Sequence, residues 1–167
     1  MSCVMSSTNT PRWLATYVPP DGGKAVWLVG DTYTVKLSGE QTDGAFSLSE
    51  AIVPVGGGPP PHVHYQEDET FVVLEGELLL EADERTLPAS IGTVLHVPKG
   101  VRHGFRNVGS TPSRMLFLYT PAGMERMFEE IGRPAQAGES APPNSAEDVA
   151  RMAAVAAKYH FELLPPA

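Results

Sequence analysis

"PPPHVHYQEDETFVVLEG", residues 59–76, sets two histidines one residue apart, then three carboxylates, then a run of strand-forming residues. Successive side chains of an extended chain point to opposite faces, so His62 and His64 point the same way. Two imidazoles on one face, with Glu67, Asp68 and Glu69 close behind, can hold a divalent metal. Two solvated histidines on an exposed edge would read the same over so short a stretch.

The segments on either side point to β structure. "KAVWLVG", "TYTVKLSG", "AFSLSEAIVPV", "ETFVVLEGELLLEA", "GTVLHVPKG", "HGFRNVG" and "RMLFLYT" are short β-prone runs separated by turn residues, the spacing of an all-β sandwich or barrel. Gly76 interrupts the longest run and marks a bend or hairpin. In "VPKG", Pro98 suits the second position of a turn and Gly100 the fourth. Residues 1–20 read as an arm and 21–121 as the β domain. Residues 122–167 read as a helical extension. Its first helix takes Thr120 as cap and Pro121 in the first turn, with Met124, Met127, Phe128 and Ile131 on one face and Gly132 and Pro134 closing it. Residues 133–144 have the composition of a linker. A second helix starts at Ser145, with Asp148 completing a capping box, and carries Val149, Met152, Ala156 and Tyr159 on one face. His160 falls at its end, where a cation suits the helix dipole.

Composition narrows the function. The chain has 167 residues, 42% hydrophobic and 19% charged, with 16 Gly and 16 Pro, which fits one β-rich domain. A net charge of -8 without a basic cluster argues against a nucleic-acid partner. The lone Cys3 excludes an intrachain disulfide. No run approaches the ~18 apolar residues of a membrane span, and the amino end lacks the pattern of a signal peptide. The expectation is a soluble, cytoplasmic protein with no membrane partner.

Two spacings are specific. Gly56, His62, His64, Glu69 and Gly76 follow one another at intervals of five, one, four and six intervening residues. Gly92, Pro98, Gly100, His103 and Asn107 follow at five, one, two and three. Both match the two signature motifs of the cupin superfamily, and the resemblance covers about residues 25–121. The approach to His62 and, more loosely, the tail around "MFEEIGRPA" and "AAKYHFELLPP" resemble single-domain quercetinase-like cupins.

That resemblance implies an antiparallel jelly-roll barrel. It implies four ligands to one divalent metal per chain, His62, His64, Glu69 and His103, with Fe, Mn, Ni, Co, Cu and Zn all compatible. It further implies a dioxygenase that opens a flavonol-like or enol-type substrate with O2. A carboxylate at the metal can take the substrate's hydroxyl proton, and Glu69 is the candidate for that base in addition to its place as ligand. A non-oxidative metal-dependent isomerase, hydrolase or decarboxylase and a binding protein without catalysis are the alternatives. Phe71 and Phe105, two residues beyond Glu69 and His103, line an apolar pocket or fill the barrel core. Glu67, Asp68 and Glu75 read as solvated turn or rim residues, His96 as a packed or edge histidine, and Asn107 as structural. A homodimer is expected, since related single-domain cupins commonly pair and the arm and tail exceed what one small barrel needs.

Overall fold

The computed structural model describes residues 15–165. The chain runs β1 (Lys24–Leu28), β2 (Asp31–Leu37), β3 (Ser47–Val53), β4 (His62–His64), β5 (Asp68–Glu75), β6 (Leu78–Ala82) and β7 (Arg85–Ala89). It continues through β8 (Val94–Val97), β9 (His103–Asn107), β10 (Ser113–Thr120), α1 (Glu125–Ile131), β11 (Arg133–Pro134), α2 (Ala146–Val155) and β12 (Phe161–Leu163). A seven-stranded sheet, ordered β11-β1-β2-β3-β10-β5-β8, faces a five-stranded sheet, ordered β12-β4-β9-β6-β7. Every pairing is antiparallel, as the jelly-roll expectation requires.

Alternation decides which side chains enter the barrel. Burial alternates residue by residue along β2, β3, β5 and β10, so Tyr33, Ala51, Phe71 and Phe117 turn inward. Phe71, Phe117, Leu78 and Leu80 are fully buried between the sheets. Gly76 is a bend between sheets, for β5 and β6 pair with different partners. It sits at φ 79, and a side chain there would meet Ser113 Cα at 2.8 Å. The turn after β8 is shifted by one residue from the expected register: the Val101 N–H donates to the Pro98 carbonyl at 3.2 Å, so Pro98 opens the turn.

The carboxy-terminal third departs furthest from expectation. Thr120 ends β10, paired with Asp68, and the helix starts only at Glu125. Its buried face, Met124, Met127, Phe128 and Ile131, is the expected one. Within the segment read as a linker, Arg133 and Pro134 pair with β1. Ser145 and Asp148 form the expected capping box at the start of α2. That helix stops at Val155, however, and Phe161–Leu163 pair with β4 as a strand. The free edge of β4 offers backbone hydrogen bonds and a buried place for Phe161, and this outweighs the helical propensity of "AAKYH". His160 is therefore an exposed residue past the helix, not one at its end.

Candidate metal centre

His62 and His64 occupy both ends of the three-residue strand β4, and their rings enter the barrel. The chain reaches β4 through a loop laid across β9. The Gly56 N–H donates to Asn107 O at 3.0 Å, and the Asn107 N–H donates to Gly57 O at 2.9 Å. Gly58 lies at φ +134, and a Cβ there would stand 2.0 Å from Phe105 O, so only glycine lets the loop run this close. Glu69 is the second residue of β5, and His103 the first of β9, its Cα paired with that of His62. Strands from both sheets thus set the four side chains rigidly.

All four are buried, and their ligand atoms lie within 4.8 Å of one another. His62 Nδ1–H donates to Pro60 O at 2.9 Å, and His103 Nδ1–H donates to Val101 O at 2.9 Å. A carbonyl only accepts, so in both rings Nδ1 carries a proton; neutral His62 then has its lone pair on Nε2, whereas Nε2 of His103 faces Glu69 and, without a metal, holds a second proton toward it. His103 Nε2 lies 2.8 Å from Glu69 Oε2, and His64 Nε2 lies 3.5 Å from the same oxygen. Neither ring nitrogen of His64 has a hydrogen-bond partner among the described residues, although the side chain is 4% exposed. Orphaned buried nitrogens beside a buried carboxylate fit a cation, which would satisfy all of them together.

The electrostatics agree. In the metal-free protein, burial pushes His62 down to about 3, with His103 and His64 adding to the shift against Glu69. Burial likewise takes His64 down to about 4, opposed by Glu69. Both therefore stay neutral, the form that binds metals. Burial alone would raise Glu69, but its bond to His103 and the surrounding imidazoles hold the carboxyl at about 2. Burial would lower His103, and Glu69 outweighs it, leaving that imidazole above its ordinary value. Tyr119 stands opposite Glu69 in the β5–β10 ladder, with its ring against His64 at 5.3 Å. Burial and Glu69 push its phenol well above the ordinary range, so it remains a donor.

These groups open on a chamber of about 30 Å³, room for about two waters. Phe105 lines it. Phe71 is fully buried outside the lining, edge-on to Phe105 at 5.8 Å. Met127, Phe128, Met152 and Phe161, all from the carboxy-terminal segment, close the other side. Sequence reasoning missed these four and Tyr119 as neighbours of the site. The alternation Met115-Phe117-Tyr119 in "RMLFLYT" would have placed Tyr119 inward.

The remaining candidates fall as follows. Glu67 is buried, not a solvated rim residue, and burial raises its carboxyl to about 7, with backbone amides pulling down and Glu125 and Glu69 adding. Asp68 accepts from the Lys99 N–H at 2.9 Å, and Glu75 accepts from Arg114 at 2.6 Å on the surface. His96 is an exposed residue of the sheet-edge strand β8. Asn107 is structural, donating to Val53 O and Thr111 O and accepting from Gly109. Cys3 lies outside the described residues.

Known proteins resemble this chain in sequence and fold. The family model described as "Cupin domain" covers residues 49–119, from within β3 to the penultimate residue of β10. Residues 49–119 thus resemble a cupin domain. The chain is 29% identical over 128 residues to the quercetin 2,3-dioxygenase of Bacillus subtilis (strain 168), covering 76% of this chain and 38% of that protein. It is 27% identical over 108 residues to the oxalate oxidase GF-3.8 of Triticum aestivum, covering 60% of this chain and 48% of the other. The chain spans 38% to 62% of the length of the curated relatives it matches. A crystal structure from Thermotoga maritima, described as a predicted oxalate decarboxylase, superposes with a TM-score of 0.60. That likeness, at 20% identity over 64% of this chain and 99% of the other, shares the fold of the cupin domain.

Proposed function

We propose that this protein binds one divalent metal through His62, His64, Glu69 and His103 and uses it as a dioxygenase on an enol-type or flavonol-like substrate. The observation that carries the reading is a buried three-imidazole, one-carboxylate cluster opening on a chamber without a Lys or Arg in its walls. Such walls suit an uncharged ring or enol better than a dicarboxylate, which would need a cation besides the metal. The likeness to a quercetin 2,3-dioxygenase supports the same class of substrate.

When bound, a divalent metal would supply a Lewis acid for the substrate's hydroxyl oxygen, and the electrons that reduce O2 would come from the ionised substrate. The chain's own residues do the rest. His62 and His103 are oriented by backbone carbonyls. Glu69, ionised at every working pH, takes the hydroxyl proton at a carboxylate oxygen. The apolar walls keep water from the reacting groups.

At its present volume the chamber is far smaller than the ~300–1,000 Å³ of ordinary ligand sites. A substrate therefore enters by displacing the closing side chains. Met127 and Met152, unbranched and adaptable, are suited to give way.

Oxygen uptake by the metal-loaded protein against a panel of flavonols and small enols tests the reading. Uptake with at least one of them is expected. Turnover of a substrate without oxygen consumption would move the protein to a non-oxidative isomerase, hydrolase or decarboxylase, and tight binding without turnover to a binding protein. Metal-loaded Glu69→Gln is expected to lose about 10²–10⁴-fold in rate, because an amide cannot accept the proton. Near-normal turnover by that variant would remove the base role.

A further inference from the structure

One polar group in the chamber wall is bonded away from the histidine cluster and has no part in the chemistry above. Tyr33 is buried in that wall, its ring stacked on Phe128 at 5.0 Å and edge-on to Phe117 at 5.6 Å. These contacts fix the ring plane. Its hydroxyl donates to Asp31 Oδ2 at 3.1 Å. Asp31, two residues earlier on the same inward face of β2, is completely buried. The other oxygen of that carboxylate, Oδ1, lies against the loop at Gly57, and the Gly58 backbone N–H acts on the carboxylate alongside the Tyr33 hydroxyl.

Burying a carboxylate costs stability even where hydrogen bonds meet it, and an apolar pair of the same size would fill the space without that cost. What the pair provides is orientation. With its hydrogen committed to Asp31, the phenol leaves its oxygen lone pairs as acceptors. The other polar groups of the lining, His62, His64, Glu69 and Tyr119, belong to the cluster or press against it, and the remaining walls are apolar.

We propose that Tyr33, oriented by Asp31, determines specificity by accepting a hydrogen bond from a second hydroxyl of a substrate held at the cluster through another oxygen. The chamber would thereby select enols and phenols carrying a further hydroxyl over those with one. This rests on the enol reading of the site. Asp31 is a positioning residue; Tyr33 is the group that touches the substrate.

The test is anaerobic binding of 3-hydroxy-4-pyranone, and of derivatives with one further hydroxyl at successive ring positions, to the metal-loaded full chain. It is run at pH 8, above the value of about 7 to which burial raises Asp31, so the carboxylate is mainly ionised. At least one hydroxylated derivative should bind about 2- to 10-fold more tightly than the parent, the range that one hydrogen bond supplies. Tyr33→Phe should abolish that preference while metal content stays at the wild-type level, which certifies a folded site. Asp31→Asn, whose amide can itself donate to the phenol oxygen, should reduce the preference. Equal affinities in the wild type, or a preference retained by Tyr33→Phe, would overturn the proposal. Binding of no pyranone at all would overturn the enol reading and this one together. The hydroxyl preference without oxygen uptake would sustain the Tyr33 role and fail only the dioxygenase.

Discussion

Of the three imidazoles in the cluster, only His103 is held above its ordinary pKa, and this fixes the proton count of metal binding. His62 and His64 are neutral near pH 6 at no further cost, while His103 keeps a proton shared with Glu69. Metal uptake near pH 6 should therefore release about one proton per metal, fewer as pH rises through the raised value of His103. Calorimetry in buffers of different ionisation enthalpy reads that number, and two or more protons would contradict the assignment. Stability follows the same groups. Between pH 6.5 and about 3 the unfolded chain protonates His62 and His64 while the folded chain resists, which destabilises the metal-free protein as pH falls; Asp31 and Glu67, raised by burial to about 7, act in the opposite direction as pH falls from about 7 to 4. The His103–Glu69 pair works in two directions. Its histidine stabilises at low pH and that contribution fades as pH rises through the raised pKa; its carboxylate stabilises above about 4.5 and loses this as pH falls toward 2. Nuclear magnetic resonance titration of the imidazoles in metal-free protein across pH 3–7 separates these groups, and protonation of His62 and His64 at the ordinary histidine value would count against neutral buried histidines. At this scale the spacing made the four residues of the cluster legible, because ligands on rigid strands require fixed intervals. Tyr33, Asp31 and Tyr119 were not singled out, since an inward residue on a strand reads as core until its partner across the barrel is known.

Elements explain why the site sits where it does. β4 is three residues long and is held between β9 and β12, so the carboxy-terminal strand is part of what fixes His62 and His64. Phe161 pairs with His64 in that ladder and also lines the chamber. Phe161→Ala should cost about 3–5 kcal/mol of stability, as removal of a buried phenyl ring does. It should also weaken metal binding, and denaturant melts and a metal titration on the same sample read the two effects. Unchanged affinity would show that β4 holds the histidines alone. Gly58→Ala tests the other side of the strand. Both the φ of +134 and the clash with Phe105 O disfavour it, so a lower melting temperature and weaker metal binding are expected together. Most strands were readable from alternation and turn residues. β12 was not, because "AAVAAKYH" favours a helix locally and only the vacant edge of β4 ends it. β7 was missed because the exposed residues of "RTLPA" show no apolar alternation.

At the scale of the whole molecule, the two sheets and the carboxy-terminal segment together make a small chamber beside one charged cluster. Among the described residues no helix is long and apolar enough to cross a membrane. The tail that suggested a surplus for dimerisation is consumed by its own barrel, with Met127, Phe128, Met152 and Phe161 turned into the chamber. The homodimer expectation therefore rests on the resemblance to single-domain cupins. Sedimentation at tens of micromolar should show a dimer, and a monomer would set that expectation aside. The central claim concerns the cluster itself. It is tested most directly by the metal content of the protein purified from its own host, compared with that of a folded His62→Ala, His64→Ala double variant. About one divalent metal per chain is expected in the first and little or none in the second. Full occupancy in the double variant would contradict the claim.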